Sequence, residues 1–138
     1  MKNTFGMIKP CAVARGVTAQ MIADIEAAGF SVDRRQELTL TREQAEWLYR
    51  EHADRSHFAD LVDFTISGPV VLMQLSGPTD TVPADFRALM GPTNIAEAGP
   101  DTLRGKYAED FRRNSIHGSD GDESASEELE YFASSFDS

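Results

Sequence analysis

Apolar residues recur along this chain at two spacings. Short crowded runs predict strands, and apolar positions returning every third or fourth residue predict helices. Thr4-Phe5-Gly6-Met7-Ile8 is a short, largely apolar run and predicts a central strand. Val17, Met21, Ile25 and Ala28 share one helical face, with Ile22 beside them, and predict one helix over about Ala12–Ala28. Gly29 suits its C-terminal end. Phe30-Ser31-Val32-Asp33 opens a second strand that runs through Arg34-Arg35-Gln36-Glu37 towards Leu38 and Leu40; its polar centre predicts an edge or an interface.

Thr41 followed by Gln44 is a capping-box pattern for a helix running to about His52. After a break at Ala53–Ser56, Phe58, Leu61, Val62, Thr65 and Ile66 mark another short helix, stopped by Ser67-Gly68-Pro69. Val70-Val71-Leu72-Met73-Gln74-Leu75 is apolar at nearly every position, as a strand covered on both faces should be. Asp80 or Thr81 can cap a helix holding Val82, Phe86, Leu89 and Met90, with Pro83 tolerated in its first turn. From Thr93 to Arg112 periodicity is weak, apart from a short helix around Thr102–Ala108, and a loop of that length is usually functional or interfacial. A strand at Ser115-Ile116-His117 and an acidic helix over Asp122–Phe136 follow, the last residues from Ser134 fraying. This order predicts an α+β fold: a ferredoxin-like βαββαβ sandwich with a four-stranded antiparallel sheet and extra helices, one domain over residues 1–138.

Composition narrows the function classes. A net charge of −10 argues against broad electrostatic binding to nucleic acid or anionic membranes, so an anionic substrate needs a local cluster of cations. With no apolar run of about 18 residues, no membrane-spanning helix is expected. The start of the chain lacks a secretory pattern and Cys11 stands alone, so the expected compartment is the cytoplasm. Three lysines stand beside ten arginines. Low Lys with abundant Asp and Glu suggests a salt-rich cytosol, or simply an ordinary acidic protein.

The chemistry-bearing stretch is Asn114-Ser115-Ile116-His117-Gly118-Ser119-Asp120. A neutral imidazole offers one nitrogen lone pair, and a partner on the other nitrogen fixes the tautomer. His117 is read as a nucleophile that takes up a phosphoryl group, with Glu128, eleven residues on, as its partner. Lys9, just after the first strand, either meets a ligand at the strand end or is solvated; the residues allow both.

Six blocks in order then resemble the nucleoside diphosphate kinases, from about Thr4 to Phe136. They are Ile8-Lys9-Pro10 with Ala12-Val13, Tyr49-Arg50-Glu51-His52, Ser67-Gly68-Pro69-Val70-Val71, Gly91-Pro92-Thr93-Asn94, Thr102-Leu103-Arg104-Gly105, and the His117 block. The resemblance implies the same fold and a ping-pong transfer of the γ-phosphoryl group from ATP or another nucleoside triphosphate to a nucleoside diphosphate, with Mg²⁺, through a phosphohistidine at His117. It implies that Glu128 orients the histidine, Ser119 supports Glu128 and Tyr49 stands beside the ring. Lys9 and Asn114 would hold the ribose hydroxyls, Lys9 also lying near the transferred phosphate, and Arg87, Thr93 and Arg104 would bind phosphate. His57, Leu61 and Phe111 would line the base slot. Asp120 either touches a metal-bound water or simply starts the last helix.

Several positions depart from the family pattern. His57 stands where a stacking phenylalanine is usual, and Phe111 where valine is usual. Either the large aromatic has crossed the slot, giving stacking on both faces of the base, or Phe111 packs elsewhere. Ile95 and Asp101 replace a common proline and glycine in the long loop. The resemblance implies self-association into a dimer-based tetramer or hexamer. A regulatory scaffold that kept the pocket is the alternative from another class; nucleic-acid binding is disfavoured by the charge.

Overall fold

The computed structural model describes residues 1–110 and 113–137. Phe111 and Arg112 therefore lie outside the described residues, and with them the expectation that Phe111 stacks on the base.

Four strands form one antiparallel sheet in the order β2-β3-β1-β4: β1 (Asn3–Ile8), β2 (Ser31–Leu38), β3 (Val70–Ser76) and β4 (Ile116–Gly118). The helices are α1 (Pro10–Ala14), α2 (Thr18–Ala27), α3 (Arg42–Leu48), α4 (Phe58–Thr65), α5 (Val82–Met90), α6 (Leu103–Tyr107) and α7 (Asp122–Tyr131). This is the ferredoxin-like α+β sandwich expected from the order of the elements.

Alternation along β3 explains the two layers. Val71, Met73 and Leu75 point into one cluster with Met21, Ile25, Phe86 and Ile116. Val70 and Leu72 point into the other, with Phe5, Met7, Leu48, Tyr49 and Phe132. Successive strand residues face opposite sides, so a strand buried on both faces must be apolar throughout. Among the described residues β2 pairs with β3 alone and is largely exposed, which accounts for its arginines; its register slips between Val32 and Arg34.

Three helix expectations need correction. The single helix over Ala12–Ala28 is two helices, because Gly16 turns at φ 74° between them. Arg15 is also drawn away, donating to the Tyr107 carbonyl at 2.7 Å and to Glu109 at 3.1 Å. The α-helix begun at Arg42 ends at Leu48, with only a 3₁₀ turn over Arg50–His52. The last helix ends at Tyr131, and the chain continues as a 3₁₀ turn, Ala133–Asp137, rather than fraying. Phe136 is buried there, with the Arg34 guanidinium 4.9 Å from its ring centre.

The capping box at Thr41 forms: Thr41 Oγ1 accepts from the Gln44 amide at 3.1 Å and Gln44 Oε1 from the Thr41 amide at 2.9 Å. Thr81 precedes α5, but its hydroxyl bonds the Asp85 carboxylate instead of capping. A flat stack joins α3 to α7: Trp47 lies 3.9 Å from Tyr131 at 3° between planes. Arg50 sits over the same indole at 4.1 Å and bridges to Glu127 on α7.

Candidate active site

The site grows from β4, a strand of three residues paired to β1. Met7 faces His117 across the pair, so the imidazole lies on the face shared by Phe5, Met7 and Tyr49. Gly118 has to be small: a Cβ there would lie 2.8 Å from Met90 Sδ and 3.1 Å from the Phe86 ring. Just upstream, Ser115 adopts φ 78°, a region L-residues avoid and one that marks local strain. Its hydroxyl donates to the Tyr107 carbonyl at 2.7 Å and its carbonyl accepts from the Lys9 amide at 2.9 Å. This residue ties the start of α1, the end of α6 and β4 together.

His117 Nε2 lies 3.1 Å from Glu128 Oε1, and the same oxygen accepts from Ser119 Oγ at 2.9 Å. Glu128 and Ser119 are buried. A carboxylate only accepts, so Nε2 carries a proton, and in the neutral ring Nδ1 is the nitrogen with the lone pair. The imidazole meets Tyr49 edge-on at 5.6 Å and Phe5 at 6.1 Å, which fixes its plane. Burial pushes the Tyr49 phenol up, so it stays protonated.

The cations are placed by backbone. Lys9 follows β1, directly before Pro10 at the first position of α1, and is buried. Burial, with Arg104 nearby, pushes its ammonium down to about 7. Its Nζ stands 6.0 Å from the Tyr49 ring centre. Arg104 on α6 donates from Nη1 to the Gly91 carbonyl at 2.9 Å and from Nη2 to the Ile116 carbonyl at 3.0 Å. Burial lowers its pKa from the ordinary guanidinium value. Arg87 on α5 donates to the Asp120 carbonyl at 2.9 Å, with the Asp120 carboxylate at 3.6 Å.

These groups surround a cavity of about 660 Å³, lined by Lys9, Tyr49, His57, Leu61, Arg87, Thr93, Arg104, Asn114, His117, Asp120 and Glu128 among others. Eleven of the residues expected at the site are therefore brought together. Ser119 is not on the wall; it stands behind Glu128. The wall also holds Arg50, His52, Arg55 and Ser124, which the sequence reading did not single out. His52 was legible as part of the Tyr49-Arg50-Glu51-His52 block; its ring lies 6.3 Å from that of His57, so all three histidines of the chain meet at one cavity. Among the described residues no three His, Cys, Asp or Glu side chains gather as a metal-binding group. No helix among them is long and apolar enough to cross a membrane.

A sandwich carrying a carboxylate-held histidine beside buried cations defines a class of phosphate-handling enzyme. The nucleoside diphosphate kinase family profile matches residues 2–137. The nucleoside diphosphate kinase of Heliobacterium modesticaldum is 49% identical over 97% of this chain and 89% of its own. That of Maricaulis maris is 46% identical over 97% of this chain and 94% of its own. The solved halophilic nucleoside diphosphate kinase from Halobacterium salinarum, in complex with CDP, superposes with a TM-score of 0.89 at 35% identity, covering 95% of this chain and 86% of that one. The chain belongs to the nucleoside diphosphate kinase family, whose members are nucleotide phosphotransferases.

Proposed function

We propose that the reaction runs by ping-pong through His117. The Nδ1 lone pair attacks the γ-phosphorus of a nucleoside triphosphate, the bond to the bridging oxygen breaks, and the diphosphate leaves with that electron pair. A second nucleoside diphosphate then takes the phosphoryl group back by the reverse displacement. The observation that carries this reading is the Nε2–Glu128 contact at 3.1 Å, which leaves Nδ1 as the free nitrogen of a ring on the cavity wall. As the imidazole gains positive charge, Glu128 stabilises it, and Ser119 holds Glu128 in place.

Phosphoryl transfer has a loose transition state, so the remaining work is positioning and charge stabilisation. Arg87, Arg104 and Thr93 hold phosphate oxygens. Lys9 and Asn114 take the ribose hydroxyls, and Lys9 regains its charge beside the phosphates. Mg²⁺ would be held mainly by the nucleotide's own phosphates, where it would offset their negative charge; on the wall Asp120 would accept from a metal-bound water, and no carboxylate cage gathers among the described residues. His57 and Leu61 receive the base. Stacking does not read base edges, so broad base tolerance is expected. The exposed β2 edge supports self-association into a dimer-based tetramer or hexamer.

The test is direct. Incubation with Mg²⁺ and ATP labelled on the γ-phosphate should give an alkali-stable, acid-labile label that GDP discharges as GTP. His117→Ala should carry no label. A folded protein that binds ADP yet forms no phosphohistidine would indicate a regulatory pocket without the chemistry.

A further inference from the structure

The three lysines differ in their surroundings. Lys2 faces Asp80 at 4.0 Å and Lys106 faces Asp24 at 3.6 Å, both on the surface. Lys9 is buried and, among the described residues, has no carboxylate partner; its neighbours are the Tyr49 ring and the Arg104 guanidinium. Its amine shares one cavity with Arg87, Arg104 and Thr93, the groups that hold phosphate in the proposed reading.

We propose that Lys9 is a site of covalent acylation by small acyl phosphates, molecules whose phosphate docks where a nucleotide's would and whose acyl carbon then lies within reach of the amine. This rests on the phosphate-binding reading of the cavity. The neutral amine lone pair attacks the acyl carbon. The bond from that carbon to the phosphate oxygen breaks, inorganic phosphate leaves with the electron pair and takes up the proton lost by nitrogen, and an amide remains. No other reactant is needed.

Two features favour Lys9 over its surface counterparts. Burial and Arg104 hold its ammonium down to about 7, so near neutral pH much of it is free amine, whereas ordinary lysines titrate near about 10.4. A single acyl phosphate brings less negative charge than a nucleotide's polyphosphate, and Arg87 and Arg104 carry its countercharge, so part of Lys9 stays neutral beside it although the amine regains its charge beside a full polyphosphate. The amide abolishes the positive charge and fills the cavity beside His117, so acylation should switch off nucleotide turnover.

The experiment treats the full chain with acetyl phosphate near neutral pH and maps acetylation by peptide mass spectrometry, which has three lysines to distinguish. Lys9 should be labelled at least about ten times faster than Lys2 or Lys106: an ordinary lysine holds roughly a thousandfold less free amine at neutral pH, an advantage that burial and the weaker nucleophilicity of a less basic amine reduce. ADP should protect it, and kinase activity should fall in step with the Lys9 label. Labelling of Lys2 and Lys106 ahead of Lys9, or labelling of Lys9 that ADP leaves unchanged, would overturn the proposal. A Lys9→Arg chain should lose the label; if another cavity residue of that chain is acetylated as fast as Lys9 was, Lys9 is not the site. Phosphohistidine formation on unmodified protein is scored separately, so failure of acylation leaves the kinase reading standing, and the converse also holds.

Discussion

At the residue scale, the hydrogen bonds behind His117 make separable predictions. Ser119→Ala removes one bond to Glu128, worth about 1 kcal/mol, so kcat should fall about fivefold with KM little changed in steady-state assays. Asp120 offers a test of a different kind. Its carboxylate stands 3.6 Å from Arg87, so in the empty cavity it competes with phosphate for that cation. Without Mg²⁺, Asp120→Asn should tighten ADP by up to about fivefold in calorimetry, the range of an exposed ion pair. With Mg²⁺ the gain should shrink if Asp120 also serves a metal-bound water. In an Arg87→Ala background the metal-free gain should vanish.

Lys9 makes a pH prediction. Its folded value is about 7 and an unfolded lysine titrates near about 10.4, so between the two the unfolded chain binds more protons. Its contribution to ligand-free stability should therefore rise with pH across that window. Below it both states are charged and the burial penalty is fully present. Urea midpoints for the wild type and Lys9→Met, compared at about pH 7 and about pH 9, should show the rise only in the wild type. Most of these residues were legible as types in a pattern. Their states were not, since the burial of Lys9 and the grip of Asp120 on Arg87 come from segments far apart in sequence.

At the scale of elements, legibility followed covering. β1 and β3 are sandwiched between helical layers, and their apolar runs announce it. The α1–α2 break hid because Gly16 sits inside a pattern that still repeats; a helix tolerates one glycine, and the contacts of Arg15 with Tyr107 and Glu109 decide otherwise. The ends of α3 and α7 were misplaced for a related reason: apolar residues stay periodic through a 3₁₀ turn. At the end of α5, Gly91 has φ 85° and presents its carbonyl to Arg104. A Cβ there would meet Thr102 at 2.8 Å. Gly91→Ala should cost about 1–3 kcal/mol by denaturant titration and, by shifting Arg104, raise the nucleotide KM.

For the whole molecule, charge sets the terms. A net charge of −10 on 138 residues repels itself, and salt shortens the reach of that repulsion. Thermal midpoints should climb as KCl is raised towards molar concentration; midpoints indifferent to KCl would leave an ordinary acidic surface. The same charge makes the cavity an exception, since Lys9, Arg87 and Arg104 collect there on an otherwise acidic chain.

The flat stack of Trp47 on Tyr131 gives the molecule an optical handle of its own. Trp47 is the chain's single tryptophan, and it joins the helix before Tyr49 to the helix that carries Glu128. Its fluorescence therefore reports on one place alone. An emission shift on phosphorylation or nucleotide binding would be movement at the seam behind His117, read without a label.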